Sequence, residues 1–436
     1  MLALLLACGR PAQPLVVLVS LDTTRADALG VYGGDKQWTP NLDAFAASGA
    51  RFSWALAHVP TTLSSHATVM TGLDPHQHGI PRNGFPLPDG LDTLAERFHA
   101  AGWATVGVAG ASVLAEDTNI ARGFDTWHEA YRVHRSNREE AIASDVTTEA
   151  LSVLATRDRT KPLFLFVHYF DAHAPYAAPA PFTRKFADPH YAGGFTGTKK
   201  AMKLMVNQVR QGAADPRDIA EVVARYHGEV AYVDDSVGGL LAAVGADATV
   251  LIFGDHGEIL GEDQHNPFGH GGYVDLHSIH VPLLLRAPSV PAHTVVEQQV
   301  RLMDIGPTLL SLAGLPASLG QGQDFSALAR GQKMISPPSF AEATQPSEKA
   351  LDDRWPNLPF QRSVSTGGYF LLRWPLTGAP DALFHLDASQ TPAEDAGHAA
   401  LLGALLHTWD SQAPGAVPDD RSDATMNSLK ELGYTE

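Results

Sequence analysis

The chain has 436 residues, 44% of them hydrophobic, and a formal net charge of −17. That length supports a large core plus a smaller unit, and the acidic balance excludes a nucleic-acid surface, which needs a basic face. The single cysteine excludes an internal disulfide framework and a thiolate zinc cluster. An anionic substrate would therefore have to be met by a metal ion or by local donors.

Residues 1–9 (MLALLLACG) have the form of the end of a bacterial lipoprotein signal, with Leu5-Leu6-Ala7-Cys8 as the lipobox. On that reading residues 1–13 are a signal-like N-terminus. Cys8 becomes the lipidated first residue, and the protein sits in a bacterial cell envelope, periplasmic or anchored to the membrane. A frayed apolar N-terminus is the alternative. No other run is apolar and uncharged for long enough to span a bilayer. Residues 14–21 (PLVVLVSL) predict a strand buried on both faces. It ends at Asp22-Thr23-Thr24-Arg25, and α/β folds place ligands at such strand ends. A capping role for Asp22 is the plain structural alternative. Residues 40–49 read as an amphipathic helix, and residues 51–57 as a strand leading to the next turn.

Residues 60–72 (PTTLSSHATVMTG) read as a hydroxyl-rich turn running into a helix closed by Gly72. Such a turn aims backbone N–H groups and the positive end of a helix at one short side chain, a setting that suits sulfate or phosphate. Thr62 stands at its mouth and is the candidate nucleophile. A simple helix cap is the competing structural explanation.

Residues 74–79 read as a loop, 91–101 as a helix, 105–109 as a strand, 123–125 as a turn and 138–156 as a helix. Residues 162–169 (PLFLFVHY) predict a second buried strand, followed by Asp171 and His173. Residues 177–217 read as an irregular, substrate-side insertion, and residues 218–244 as a long helix. Residues 249–253 (TVLIF) predict a third buried strand, ending at Gly254-Asp255-His256-Gly257-Glu258. The two glycines let the backbone turn sharply and present Asp255 and His256 side by side. His265 and His270 follow in a glycine-rich loop. Residues 281–286 read as a strand and 302–312 as a helix. A Pro- and Ser-rich stretch over residues 336–349 marks a boundary, giving a catalytic unit over 14–340 and a C-terminal unit over 341–436. In the latter, residues 362–374 and 382–386 read as antiparallel strands, and 393–412 contain a helix.

Three buried strands thus lead to Asp22, to His173 and to the Asp255-His256 pair. Carboxylates and imidazole on a shared edge make a divalent-cation site. A cation there can lower the pKa of the Thr62 hydroxyl and neutralise the anion that it attacks. His173 and His270 are placed to hold substrate oxygens or to protonate the leaving group.

These stretches, with residues 18–30, 39–52, 60–79, 164–176, 228–234, 253–257, 269–282 and 302–315, resemble the sulfatase family of the alkaline-phosphatase superfamily. The tail at 429–434 (LKELGY) is also similar to that of bacterial relatives. The resemblance implies a large mixed, mainly parallel sheet sandwiched by helices, followed by a small antiparallel sheet-plus-helix subdomain. It implies Asp22, Asp255 and His256 as ligands of one divalent metal, with Thr62 beside it. Calcium comes first by family, with manganese, magnesium or zinc as alternatives. It matches His173 to the substrate-anion histidine, and His66 to an arginine that supports the nucleophile. His270 stands where lysine is common, and Thr23 stands for a second metal-binding aspartate.

The departures from the family carry chemical weight. Thr62 occupies the formylglycine position, and a secondary alcohol cannot become that aldehyde. Ser64 replaces the usual proline, and a lysine–histidine pair has no match in residues 109–115. The hemiacetal route that releases sulfate is closed, whereas a threonine phosphate ester can be opened by in-line attack. The expected function is a metal-dependent hydrolase or transferase of sulfate or phosphate esters, with phosphate mono- or diester chemistry favoured. The substrate is a small anionic ester or glycan. A catalytically inactive relative that binds sulfated or phosphorylated glycans is the alternative. A two-zinc phosphatase would need further ligands such as His78 or His265.

Overall fold

The structure, a computed structural model, describes residues 13–134, 139–262, 267–343, 361–375, 377–413 and 423–432. The lipobox with Cys8, and His265, lie outside the described residues. No helix among the described residues is long and apolar enough to cross a membrane.

The first strand, β1 (Leu15–Leu21), is buried along all 7 residues and is the spine of a 9-stranded sheet. β5 (Leu163–Tyr169) and β6 (Thr249–Gly254) flank it, both parallel to it. Outside β5 lie β3 (Ala104–Ala109) and β4 (Thr126–Glu129), also parallel. Outside β6 come β10 (Leu283–Arg286), β2 (Ala50–Leu56) and β11 (Thr294–Arg301). β10 runs antiparallel to both its neighbours, which makes the sheet mixed. β9 (His280–Val281) pairs briefly with β2, and β7 (Ile259–Leu260) with β8 (Phe268–Gly269).

The alternation of side chains along β1 feeds two separate cores. Val16 and Leu18 pack on one face with Phe52, Phe164 and Phe166. Val17, Val19 and Leu21 pack on the other with Tyr226, Val230 and Val237 of the helix Pro216–Val244. Covering both faces explains why the strand needs no polar side chain until its end.

A second sheet is antiparallel, in the order β12 (Ser339–Ala343), β13 (Gln361–Thr366), β14 (Tyr369–Trp374) and β15 (Ala379–His385). The helix Ala396–Asp410 packs on it through Leu402, Leu406 and Trp409. Trp409 also joins the two units. It stacks on His76 at 3.7 Å and on Phe340 at 5.3 Å, and its Nε1–H donates to Asp74 Oδ2 at 2.9 Å. Trp409→Ala would leave the Asp74 carboxylate without that donor and open a cavity, at a cost of about 3–5 kcal/mol. A calorimetric scan should show the midpoint falling by several degrees; an unchanged midpoint would mean that the small sheet docks without it.

Several local expectations are corrected. Residues 177–217 are not wholly irregular, because Lys199–Arg210 is a helix with Thr198 capping Ala201 N–H and with Met202, Met205 and Val209 buried at helical spacing. The helix placed over 138–156 is Ala143–Thr156, and the one over 91–101 is Leu94–Ala100, started by a Thr93/Glu96 capping box. Residues 74–79 hold one helical turn, Pro75–His78, capped by Asp74.

Candidate active site and metal centre

Leu21 of β1 lies beside Gly254 of β6, so Asp22 and Asp255 leave the sheet as neighbours. Thr23 adopts a left-handed φ of 49°. Its N–H donates to Asp255 Oδ1 at 3.2 Å, and the His256 N–H donates to the same oxygen at 2.8 Å. Gly257 is required by close approach, since a Cβ there would lie 1.9 Å from the His277 carbonyl oxygen. The His256 Nδ1–H donates to the Gly257 carbonyl at 3.0 Å, which leaves the Nε2 lone pair facing the site.

Asp22 Oδ1 and Asp255 Oδ2 are buried and have no hydrogen-bond partner. One ligand atom from each of Asp22, Asp255 and His256 lies within 4.8 Å of the others. Two orphaned carboxylate oxygens facing an imidazole lone pair fit a divalent cation, which would neutralise and coordinate them. In its absence, burial pushes the Asp22 carboxyl up to about 8, against the pull of His270 and the Thr62 hydroxyl. Burial and the Asp22 charge push Asp255 up as well. This is the one such cluster among the described residues. His78 is not part of it, since its Nε2 meets Thr68 Oγ1 and its Nδ1 accepts from Ile80 N–H.

Thr62 opens the helix α2 (Thr62–Thr71), which Thr61 precedes in extended conformation and Gly72 ends at φ 65°. Thr62 Oγ1 lies 3.4 Å from His256 Nε2, beside the cluster. The orphan N–H of Leu63 is met from far along the chain by Asn83 Oδ1 at 2.8 Å. Ser64 donates to the Ile80 carbonyl and Ser65 to the Asp255 carbonyl, fixing the turn against the β6 end.

The four histidines divide into two sets. His66 is fully buried behind Thr62, its Nδ1–H donating to the Thr62 carbonyl at 2.7 Å and its Nε2 meeting Ser20 Oγ at 2.8 Å. Both nitrogens are thus used inside the protein, one of them on the backbone of Thr62. His270, by contrast, packs at 4.5 Å from the His256 ring and 5.0 Å from the His173 ring, measured between centroids. Burial opposes a charge on His270, but Glu258 Oε2 at 3.2 Å from Nδ1 overrides it and raises the pKa above the usual imidazole value. Burial and His270 hold His173 well below it.

Three residues escape sequence reasoning. Glu258 sits in the quoted GDHGE stretch, but its partnership with His270 spans 12 positions that no periodicity links. His168 lies in register with Ser20 on β5, and its Nε2–H donates to Asp22 Oδ2 at 3.1 Å. A histidine in an otherwise apolar strand was the available cue. Asn83 had none.

A family model described as Sulfatase matches residues 14–315. An arylsulfatase of Clostridium perfringens is 25% identical over 368 residues, covering 69% of this chain and 75% of the relative. An ulvan-active sulfatase of Formosa agariphila is 26% identical over 395 residues, covering 86% and 75%. Among solved structures, one in complex with its substrate D-glucosamine-2-N,6-O-disulfate superposes with a TM-score of 0.72 at 18% identity, covering 92% of this chain and 98% of the other. The phosphonate monoester hydrolase of Agrobacterium radiobacter gives 0.70 at 23% identity, covering 92% and 95%. With the match running over residues 14–315, well over half of its length, the chain belongs to the sulfatase family.

Proposed function

We propose that the protein is a metal-dependent hydrolase of sulfate or phosphate esters in which the unmodified Thr62 hydroxyl is the nucleophile, with phosphate mono- or diesters as the favoured substrates. The observation that carries this reading is the position of Thr62 Oγ1, held at the start of α2 beside His256 Nε2 and two unpartnered carboxylate oxygens. A divalent cation bound by Asp22, Asp255 and His256 supplies charge neutralisation and a lowered pKa at the Thr62 hydroxyl.

Thr62 Oγ1 loses its proton to solvent and attacks phosphorus in line. The new bond is Oγ1–P, and the ester P–O bond breaks on the opposite side. The leaving oxygen takes a proton from the imidazolium of His270, whose charge Glu258 favours. In the second half, His270 takes a proton from water as the water oxygen attacks phosphorus. The Oγ1–P bond breaks, Oγ1 takes a proton back from solvent, and phosphate, or the phosphate monoester when the substrate is a diester, departs. His173 is a neutral imidazole whose Nδ1–H donates to the Ala174 carbonyl, so its Nε2 lone pair can accept from a substrate hydroxyl. Sulfate fits the same geometry for the first step. A secondary alkyl sulfate on Thr62, however, lacks the collapse that an aldehyde hydrate provides. The phosphonate monoester hydrolase among the structural neighbours is in keeping with phosphorus chemistry on this fold.

Purified protein loaded in turn with calcium, manganese, magnesium and zinc should be offered paired aryl sulfate, phosphate monoester, phosphodiester and phosphonate monoester substrates. The expected result is turnover of a phosphorus ester exceeding that of the sulfate. Metal and anion binding without turnover of any ester would instead establish a glycan-binding relative.

A further inference from the structure

The helix Lys199–Arg210 stands out against the charge of the chain. It carries Lys199, Lys200, Lys203 and Arg210 and no acidic residue, in a protein where Asp and Glu number 48 against 31 Lys and Arg. The acid-free stretch extends from residue 189 to residue 214. All four basic residues are exposed. Lys199, Lys200 and Lys203 form no ion pair among the described residues.

Two further features say that this is more than a solvated face. Lys199 and Lys200 occupy the first turn, at the positive end of the helix, where a cation is disfavoured by on the order of 0.3–1 kcal/mol and a carboxylate is the stabilising choice. A local rule broken without a compensating contact points to a use elsewhere. The helix is also joined to the active site. Gly197, at φ 75°, packs so closely on the His173–Tyr176 loop that a Cβ there would lie 2.8 Å from the Tyr176 carbonyl oxygen. The Lys199 charge reaches His173, adding to burial and His270 in disfavouring its imidazolium. The start of the helix, at Lys199, is therefore on the active-site side of the molecule. From Lys199 to Arg210 the stripe rises about 16 Å, at about 1.5 Å per residue.

We infer that the exposed basic face of this helix is a docking surface for a polyanionic glycan strand, a chain carrying several sulfate or phosphate groups, one of which enters the Thr62 site. The inference rests on the ester-hydrolase reading for the fate of that one group, but the docking itself does not. A net charge of −17 repels such a strand overall, and a local cationic stripe supplies the attraction where it is needed. An anionic lipid surface is the less fitting partner. The apolar side of the helix (Met202, Met205, Val209) is buried in the protein's own core and is not available to enter a membrane.

The test uses the full chain with Lys200 and Lys203 both changed to Gln, and a control with both changed to Arg. A sulfated octasaccharide is titrated by calorimetry at two salt concentrations, and a small aryl ester is turned over in parallel. The expected result is octasaccharide affinity lowered roughly tenfold in the Gln variant, with a weaker salt dependence. The Arg variant should retain the affinity, and kcat/KM on the small ester should be unchanged in both. Equal affinity of wild type and Gln variant would overturn the proposal. So would loss of binding to phosphatidylserine vesicles with no change towards the octasaccharide. If no ester is turned over but octasaccharide affinity still falls in the Gln variant, the docking surface stands and the hydrolase reading is what fails.

Discussion

Thr62→Ala lowers kcat/KM on the enzyme's ester substrate by about 10⁴-fold, the scale expected when a nucleophile is removed and its surroundings are left. The protein should fold normally. Thr62 is the first residue of α2 and not its N-cap, which is Thr61, and Ala is the best helix former, so the helix should form as before. Metal binding through Asp22, Asp255 and His256 should persist. Thr62→Ser restores a hydroxyl at the same point and is expected to recover most of the rate. Steady-state kinetics on the three proteins checks this. An Ala variant within tenfold of wild type would remove Thr62 from the mechanism.

Asp255→Asn produces the second large effect, and its sign depends on whether metal is present. In metal-free wild type, two carboxylates are buried at adjacent strand ends with one oxygen each unpartnered. The folded pKa of Asp22, near 8, lies above its unfolded value near 4. A raised carboxyl contributes stability in full below the unfolded pKa and loses it as pH rises through the folded pKa. Metal-free wild type should therefore lose stability between about pH 4 and about pH 8. Asn at position 255 removes one of the two carboxyls that must take up a proton on folding, so the metal-free variant should be more stable than metal-free wild type at neutral pH, with a shallower pH slope. With metal the order reverses. Wild type gains about 4 kcal/mol when metal is at about 1,000 times its Kd, while the variant gains little and turns over little substrate. Thermal unfolding of both proteins across pH, with chelator and with added metal, checks the crossover. A variant that is less stable than wild type in chelator would contradict the picture of two repelling carboxylates waiting for a cation.

The parts of the molecule legible in the sequence are those where one local pattern carries the whole instruction. The apolar runs that became β1, β5 and β6 could be read because a strand buried on both faces has no polar alternation to confuse it. The residues just beyond them could then be placed on one edge, and Asp22, Asp255 and His256 do converge there. What escaped reading depends on pairings across long separations. The antiparallel β10 reverses the direction of the sheet without any mark in its own four residues. Asn83 meets the start of α2 from 20 positions away, and His168 reaches Asp22 across 146. The helix Lys199–Arg210 was hidden for another reason. Its neighbours are glycines and threonines that signal a loop, and its lysines stand in the first turn where an acidic residue would have announced a start.

The account stands on a covalent bond to one oxygen atom, and that bond can be sought directly. The metal-loaded enzyme, mixed with a fast phosphodiester or phosphonate ester and quenched in acid within a turnover, should yield on digestion the α2 peptide heavier by one phosphoryl or phosphonyl group. Fragmentation should place that group on Thr62. A quenched sample that turns substrate over while the peptide stays unmodified, or that carries the group on another residue, would contradict it.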